Sequence, residues 1–190
     1  MKLLVPLFSI TLFLSAFLLF IIQPLFSKMV LPYLGGSPMV WNVAMVFFQS
    51  ILLLGYSYAF FISKINKVLV QVIIHFGLFL AFLSFLPFSI EADQIPENIK
   101  NPTIWQITLM LTTIGGPFFI LSGCAPLLQR WFSFSKHKDA DNPYFLYSAS
   151  NIGSILALLC YPFIVEPLLG LHEQTFFWFV LYCCLSALIL

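Results

Sequence analysis

Six long apolar stretches run along the chain, at residues 3–26, 39–62, 68–90, 104–128, 144–165 and about 172–190, separated by short polar or turn-rich joints. Crossing a bilayer's hydrocarbon core takes about 20 helical residues at roughly 1.5 Å rise each. The first five stretches meet that length. The sixth is marginal, because only residues 176–190 are uninterruptedly apolar. Its end either reaches the headgroups by local bilayer thinning or marks a chain cut short, from a truncated frame or a longer protein. The pattern predicts an all-α integral membrane fold with six transmembrane helices in one domain spanning residues 1–190.

Within this frame, residues 117–171 stand out. Two apolar runs there carry Gly, Pro, Asn, Ser, Gln and Glu at depths where a lipid-facing helix would hold Leu, Ile or Phe. Helix breakers and polar groups at membrane depth are tolerated where they face protein or a watery cavity. The fourth run is interrupted at Gly115-Gly116-Pro117 and at Ser122-Gly123-Cys124-Ala125-Pro126, and bends are expected there. In the fifth, Ser150 and Ser154, with Ala149 and Gly153, trace a small-residue face around Asn151. That face reads as helix packing, with a cavity wall or a discontinuous-helix binding site as the other reading.

Composition agrees with a membrane setting. Hydrophobic residues make up 61% of the 190-residue chain and charged residues only 8%, whereas a soluble domain carries about a quarter charged. So few charges could not cover a water-facing surface. A net charge of +1 excludes a basic nucleic-acid face. Lys2, Lys64, Lys67, Arg130, Lys136 and Lys138 fall on one side, and Lys28 and Lys100 on the other. The positive-inside bias places both termini in the cytoplasm. The outer side then holds Glu91, Asp93, Glu97, Glu166 and Glu173. The first run is too long, and lacks the small-residue cleavage site, for a signal peptide, so it is expected to remain as a helix.

The joint after the first run contains Pro32, Gly35-Gly36 and Pro38, which predicts tight turns from residue 27 to residue 38. Trp41 and Tyr33 suit an interfacial aromatic position. Cys124, Cys160, Cys183 and Cys184 make no metal-ligand spacing and read as small apolar residues. No cofactor is expected. Four residues are candidate solute or interhelix polar sites: Gln49, His75, Asn151 and Glu166. His75 offers a hydrogen bond to a neighbouring helix or a proton relay. Glu166, before Pro167, either binds a cation or lies in the headgroup layer. Gln49, Asn151, Asn42 and Gln23 are suited to bridging helices, and Arg130 to snorkelling. No buried charge pair is expected inside the helices, which disfavours a proton-coupled pump.

A series of separated motifs carries a family resemblance over nearly the whole chain. They are Leu14-Ser15-Ala16-Phe17 through Gln23-Pro24, Leu31-Pro32-Tyr33-Leu34-Gly35-Gly36-Ser37 with Val40-Trp41, and Phe47-Phe48-Gln49 through Gly55-Tyr56 to Tyr58-Ala59. Then come Pro117-Phe118-Phe119 with Leu121-Ser122, Ala125-Pro126-Leu127-Leu128-Gln129-Arg130-Trp131-Phe132, Asn142-Pro143-Tyr144 through Gly153-Ser154, and Glu166-Pro167. In this order they resemble the membrane domain of the bacterial fused major facilitator-like/spermidine synthase proteins. The resemblance implies one half of a major facilitator fold in the bacterial inner membrane, binding or moving a small cationic solute such as a polyamine. The other role open to it is a non-catalytic anchor or assembly subunit. The family's aminopropyltransferase-like domain would follow the membrane part. This chain stops where it would begin and shows no strand–GxGxxG–helix pattern, so no enzymatic activity is expected. Expected partners are the lipid bilayer, a second copy or other membrane subunits, and a separate soluble aminopropyltransferase-like protein, with no nucleic acid. Lys64 and Lys67 match a basic gating motif of major facilitator proteins in position only.

Overall fold

Packing decides where the first helix ends. In the computed structural model, which describes residues 3–90, 94–95, 99–135, 137–140 and 143–189, helix α1 runs from Leu4 to Leu34. It passes through Pro24 and also through Pro32, the latter in the stretch where turns were expected. Each proline removes one backbone donor, but the extension buries Met29 and Val30 in the core, and local side chains bond the backbone around Pro24. The Ser27 hydroxyl donates to the Gln23 carbonyl at 2.8 Å, and the Gln23 amide donates to the Leu19 carbonyl at 3.3 Å. The helix stops at Gly35, whose φ of +71° suits only a residue without a Cβ. Its N–H closes on the Leu31 carbonyl at 2.8 Å.

Helix α2 (Pro38–Ile62) follows at once, with Pro38 in its first turn, where no donor is needed. Helix α3 (Val68–Leu83) ends well short of residue 90. Pro87 cannot continue a helix, and the chain beyond Leu83 instead folds back to place Phe88 in the core. Phe88 sits between Phe26 and Trp178, with ring centroids 6.5 and 5.6 Å away. The acidic cluster Glu91, Asp93 and Glu97, together with Lys2, Lys136, Asp141, Asn142 and Leu190, lies outside the described residues.

The fourth run is a single helical rod with a defect. Helix α4 (Pro102–Met110) passes through a wide π turn at Leu111–Gly115 into α5 (Gly116–Ser133). The widening falls where Gly115-Gly116-Pro117 interrupts the sequence, as expected for a proline that cannot donate. The fifth run repeats the device. Helix α6 (Leu146–Cys160) passes through a π turn at Tyr161–Val165, containing Pro162, into the short α7 (Glu166–Leu168). Helix α8 (Leu171–Ile189) completes the fold.

The described residues are mostly helical with no strand, and four rods are long and apolar enough to cross a membrane: α1, α2, α4–α5 and α6–α7. At about 1.5 Å per residue, the 31 residues of α1 reach about 46 Å. Helix α3, with 16 residues, is shorter, and α8 opens on the polar His172, Glu173 and Gln174.

Helices α1 and α5 form the centre. Helix α1 packs along α6 and against α5 and α8, while α5 also holds α2 and α3. Small residues set these approaches. A Cβ added at Gly153 would fall on the Phe13 carbonyl oxygen of α1, and one at Gly55 would overlap Ser122 and lie 2.8 Å from the Phe119 carbonyl oxygen. Close packing at small residues is how apolar helices associate where the hydrophobic effect between them is weak. The buried face of α6 is Gly153 and Ala157, so the small-residue stripe is not centred on Asn151, which is turned outward and exposed.

Candidate functional site

Two polar constellations are built on this frame, one closed and one open. The closed one surrounds His75, which is 1% exposed on the inward face of α3. The Tyr58 hydroxyl of α2 lies 3.2 Å from its Nδ1, and Cys124 Sγ of α5 lies 3.4 Å from its Nε2. Cys124 Sγ also lies 3.5 Å from the Ile120 carbonyl oxygen, as donor. One tautomer satisfies every contact: Tyr58 O–H donates to Nδ1, Nε2–H donates to Sγ, and S–H donates to Ile120. The chain of donors ends on a backbone oxygen inside the bundle. It ties α2, α3 and α5 together and offers no through-path for a proton, which favours the interhelix reading of His75 over a relay.

One turn before His75, Gln71 continues the same seam. Its Oε1 accepts from Trp131 Nε1 at 2.8 Å, and its amide donates to the Ile65 carbonyl at 2.6 Å. Gln106 Nε2 of α4 donates to the Val40 carbonyl of α2 at 2.9 Å. Trp178 Nε1 donates to Leu18 at 3.0 Å and the Tyr182 hydroxyl to Phe79 at 3.3 Å, joining α8 to α1 and α3. The glutamines that bridge helices are therefore Gln71 and Gln106. Gln49, Asn42 and Asn151 are exposed, and Gln23 bonds within its own helix. The spacing of Gln71, His75 and Phe79 at four-residue steps, all three buried, was the signal that could have found Gln71.

The open constellation is a cleft of about 570 Å³ between α1, α2 and the α6–α7 rod. Its floor is one face of α1: Gln23, Pro24, Ser27, Lys28 and Leu31. One wall is Trp41, Met45 and Phe48 of α2; the other is Leu158, Tyr161, Pro162 and Glu166. Lys28 Nζ meets Glu166 Oε1 at 2.8 Å, with the two side chains 33% and 41% exposed. A charge pair thus lies within the helical frame, partly exposed rather than buried. It forms because α1 continues through Lys28 as helix and the π turn carries Glu166 towards it. Half-exposed, the pair escapes the full desolvation cost of a buried one.

The π turn shapes the rest of the wall. It adds a residue to one turn and swings Tyr161 inward, where the ring is 4% exposed and lines the cleft. The Tyr161 hydroxyl is fully covered and has no hydrogen-bond partner among the described residues. Asn151 lies seven residues before Leu158 on α6, two turns away on the same stripe. It therefore extends that wall beyond the cleft. Gln49 follows Phe48 on α2 and flanks the opposite wall.

Of the four candidates, the structure buries His75 in the interior seam and places Glu166 in the cleft, while Gln49 and Asn151 lie on the exposed faces of the two walls. Lys28 and Tyr161 were not foreseen as cleft residues. The motif pieces Gln23-Pro24, Trp41 and Glu166, far apart in sequence, converge on this one cleft. No family model, curated protein or solved structure matches the chain.

Proposed function

We propose that the chain is a six-helix integral membrane module, resembling half of a major facilitator, that binds or moves a small solute carrying a cationic group such as a polyamine. Glu166 is the residue that receives the cation. The observation that carries the reading is the Lys28–Glu166 contact at 2.8 Å in an open cleft. An alkylammonium already occupies this carboxylate, and the end of a polyamine is the same chemical group. Burial of 70% or more of a small ligand between apolar walls with a few fixed polar groups is the usual design of a solute site.

The module lies in the bacterial inner membrane with both termini cytoplasmic, as the distribution of Lys and Arg favours. Pairing with a second copy or another membrane subunit along the exposed faces of α2 and α6 would complete a two-halved pathway. The chain carries out no enzymatic step in this role, and any aminopropyl chemistry belongs to a separate soluble protein. In proteoliposomes, uptake of at least one labelled solute with a primary ammonium, from a panel of putrescine, spermidine and an apolar amino acid, is expected for the wild type and is expected to fall at least tenfold in Glu166→Gln, the cost of about 1.4 kcal/mol or more for a lost charged hydrogen bond. Absence of uptake in the wild type, with no solute-dependent stabilisation, would leave the anchor or assembly role.

A further inference from the structure

We infer that the ligand of the α1–α2–α6 cleft is a zwitterion with a primary ammonium, an anionic group and an apolar body, rather than a pure polycation. The inference rests on the cleft being a solute site and concerns only what enters it. Among the described residues, the charged side chains lining the cleft are one ammonium, Lys28, and one carboxylate, Glu166, already joined at 2.8 Å. A cation that takes Glu166 must displace Lys28, and among the described residues no second carboxylate lines the cleft to receive it. The occupied cleft would then leave the two-thirds-covered Lys28 ammonium without its partner, a cost that solvent lowers but does not remove.

A zwitterion avoids this. Its ammonium takes Glu166 while its anionic group takes Lys28, so both charges stay paired and the cleft stays neutral. A second, independent observation points to the same ligand. The Tyr161 hydroxyl, on a side chain 4% exposed in the cleft wall, has no partner among the described residues. Buried hydroxyls are nearly always bonded, and a phenol O–H is a ready donor to a carboxylate or phosphate oxygen. Leu31, Met45, Phe48 and Leu158 supply apolar surface for the remainder of the ligand. The cleft's volume of about 570 Å³ lies in the range of small-ligand sites and exceeds the needs of an ammonium group alone.

This chemistry has two sources, a free amino acid with an apolar side chain or the headgroup of an ethanolamine phospholipid. Thermal stability of the purified protein in detergent distinguishes them. Phenylalanine and leucine form one arm, phosphatidylethanolamine against phosphatidylcholine micelles a second, and spermidine at matched concentration a third. The quaternary ammonium of choline cannot donate a hydrogen bond to Glu166. A concentration-dependent rise in melting temperature is expected in the amino-acid arm or with phosphatidylethanolamine, and the responding arm names the source. Tyr161→Phe is expected to leave the ligand-free midpoint unchanged or higher, since it removes only an unbonded hydroxyl, while weakening that response on the order of tenfold. Preferential stabilisation by spermidine, or an undiminished response in Tyr161→Phe, would overturn the inference and leave the solute reading standing. No response in any arm would remove both.

Discussion

Replacing Gly153 with valine is expected to lower the stability of the folded bundle by about 3 kcal/mol or more, at the upper end of overpacking costs. A Cβ at this position would fall on the carbonyl oxygen of Phe13, with the Phe13 carbonyl carbon and Cα at 3.1 and 3.2 Å. These are backbone atoms of the central helix α1, so no side chain can rotate away. Relief requires α6 to move off α1, along the most extensive helix–helix contact in the fold. The cleft would suffer with it, because its floor belongs to α1 and one of its walls to the α6–α7 rod. Gly77→Ala is the matched control. Nothing lies within 4 Å of a Cβ there, and alanine is the better helix former by up to about 1 kcal/mol. Reversible denaturation in mixed micelles should show a large loss for the first variant and none for the second. Comparable midpoints for Gly153→Val and the wild type would contradict the packing described for α1 and α6.

Trp178→Ala is expected to cost about 3–5 kcal/mol, the range for emptying a buried large aromatic site. Trp178 is fully buried on α8 and stacks on Tyr182 with centroids 5.3 Å apart. It also meets Phe88 edge-on at 5.6 Å, and its indole N–H bonds to α1. It is thus the common contact of α8, the segment beyond α3 and the central helix. Trp178→Phe keeps much of the ring and loses chiefly the indole hydrogen bond, whose worth between apolar helices averages about 0.6 kcal/mol and reaches about 1.7. The same denaturation measurement separates the two variants. An alanine variant no less stable than the phenylalanine one would show that Trp178 does not carry this junction.

Helical content and the six apolar runs were legible because composition and uninterrupted hydrophobicity dominate such a sequence. Helix ends were not. Pro32 and the Gly pair read as turns, yet the burial of Met29 and Val30 carries α1 through Pro32 to Leu34, and only Gly35 stops it. Residues 84–90 look as apolar as the helix before them, but Phe88 enters the core from an irregular segment. Hydrophobicity alone cannot tell these two uses apart. The wide turns were half legible. Gly115-Gly116-Pro117 announced a defect, but not that Tyr161-Pro162 would form a matching one that turns Tyr161 into the cleft.

The site followed the same logic. Glu166 stood out as a lone carboxylate beside a proline, and His75 as a lone imidazole in an apolar run. Lys28 did not, because a residue assigned to an outer loop proves to be helical and faces Glu166. Gln49 and Asn151 were chosen for polarity alone, and helical phase decides their place. On α6 the buried stripe passes through Gly153 and Ala157 and leaves Asn151 outside. The tertiary pairing of α1 with α2 and α6 creates the cleft, and no local pattern encodes it.

The carboxylate of Glu166, in this cleft, is proposed to receive the ammonium group of a solute. Equilibrium binding of a labelled ammonium-bearing solute to the purified wild type, Glu166→Gln and Glu173→Gln tests it most directly. Glu173 is the nearby control, an exposed carboxylate that accepts from the Gly170 N–H at 2.9 Å at the start of α8. Binding lost in Glu166→Gln and retained in Glu173→Gln is the predicted result; equal affinity in all three proteins would contradict the account.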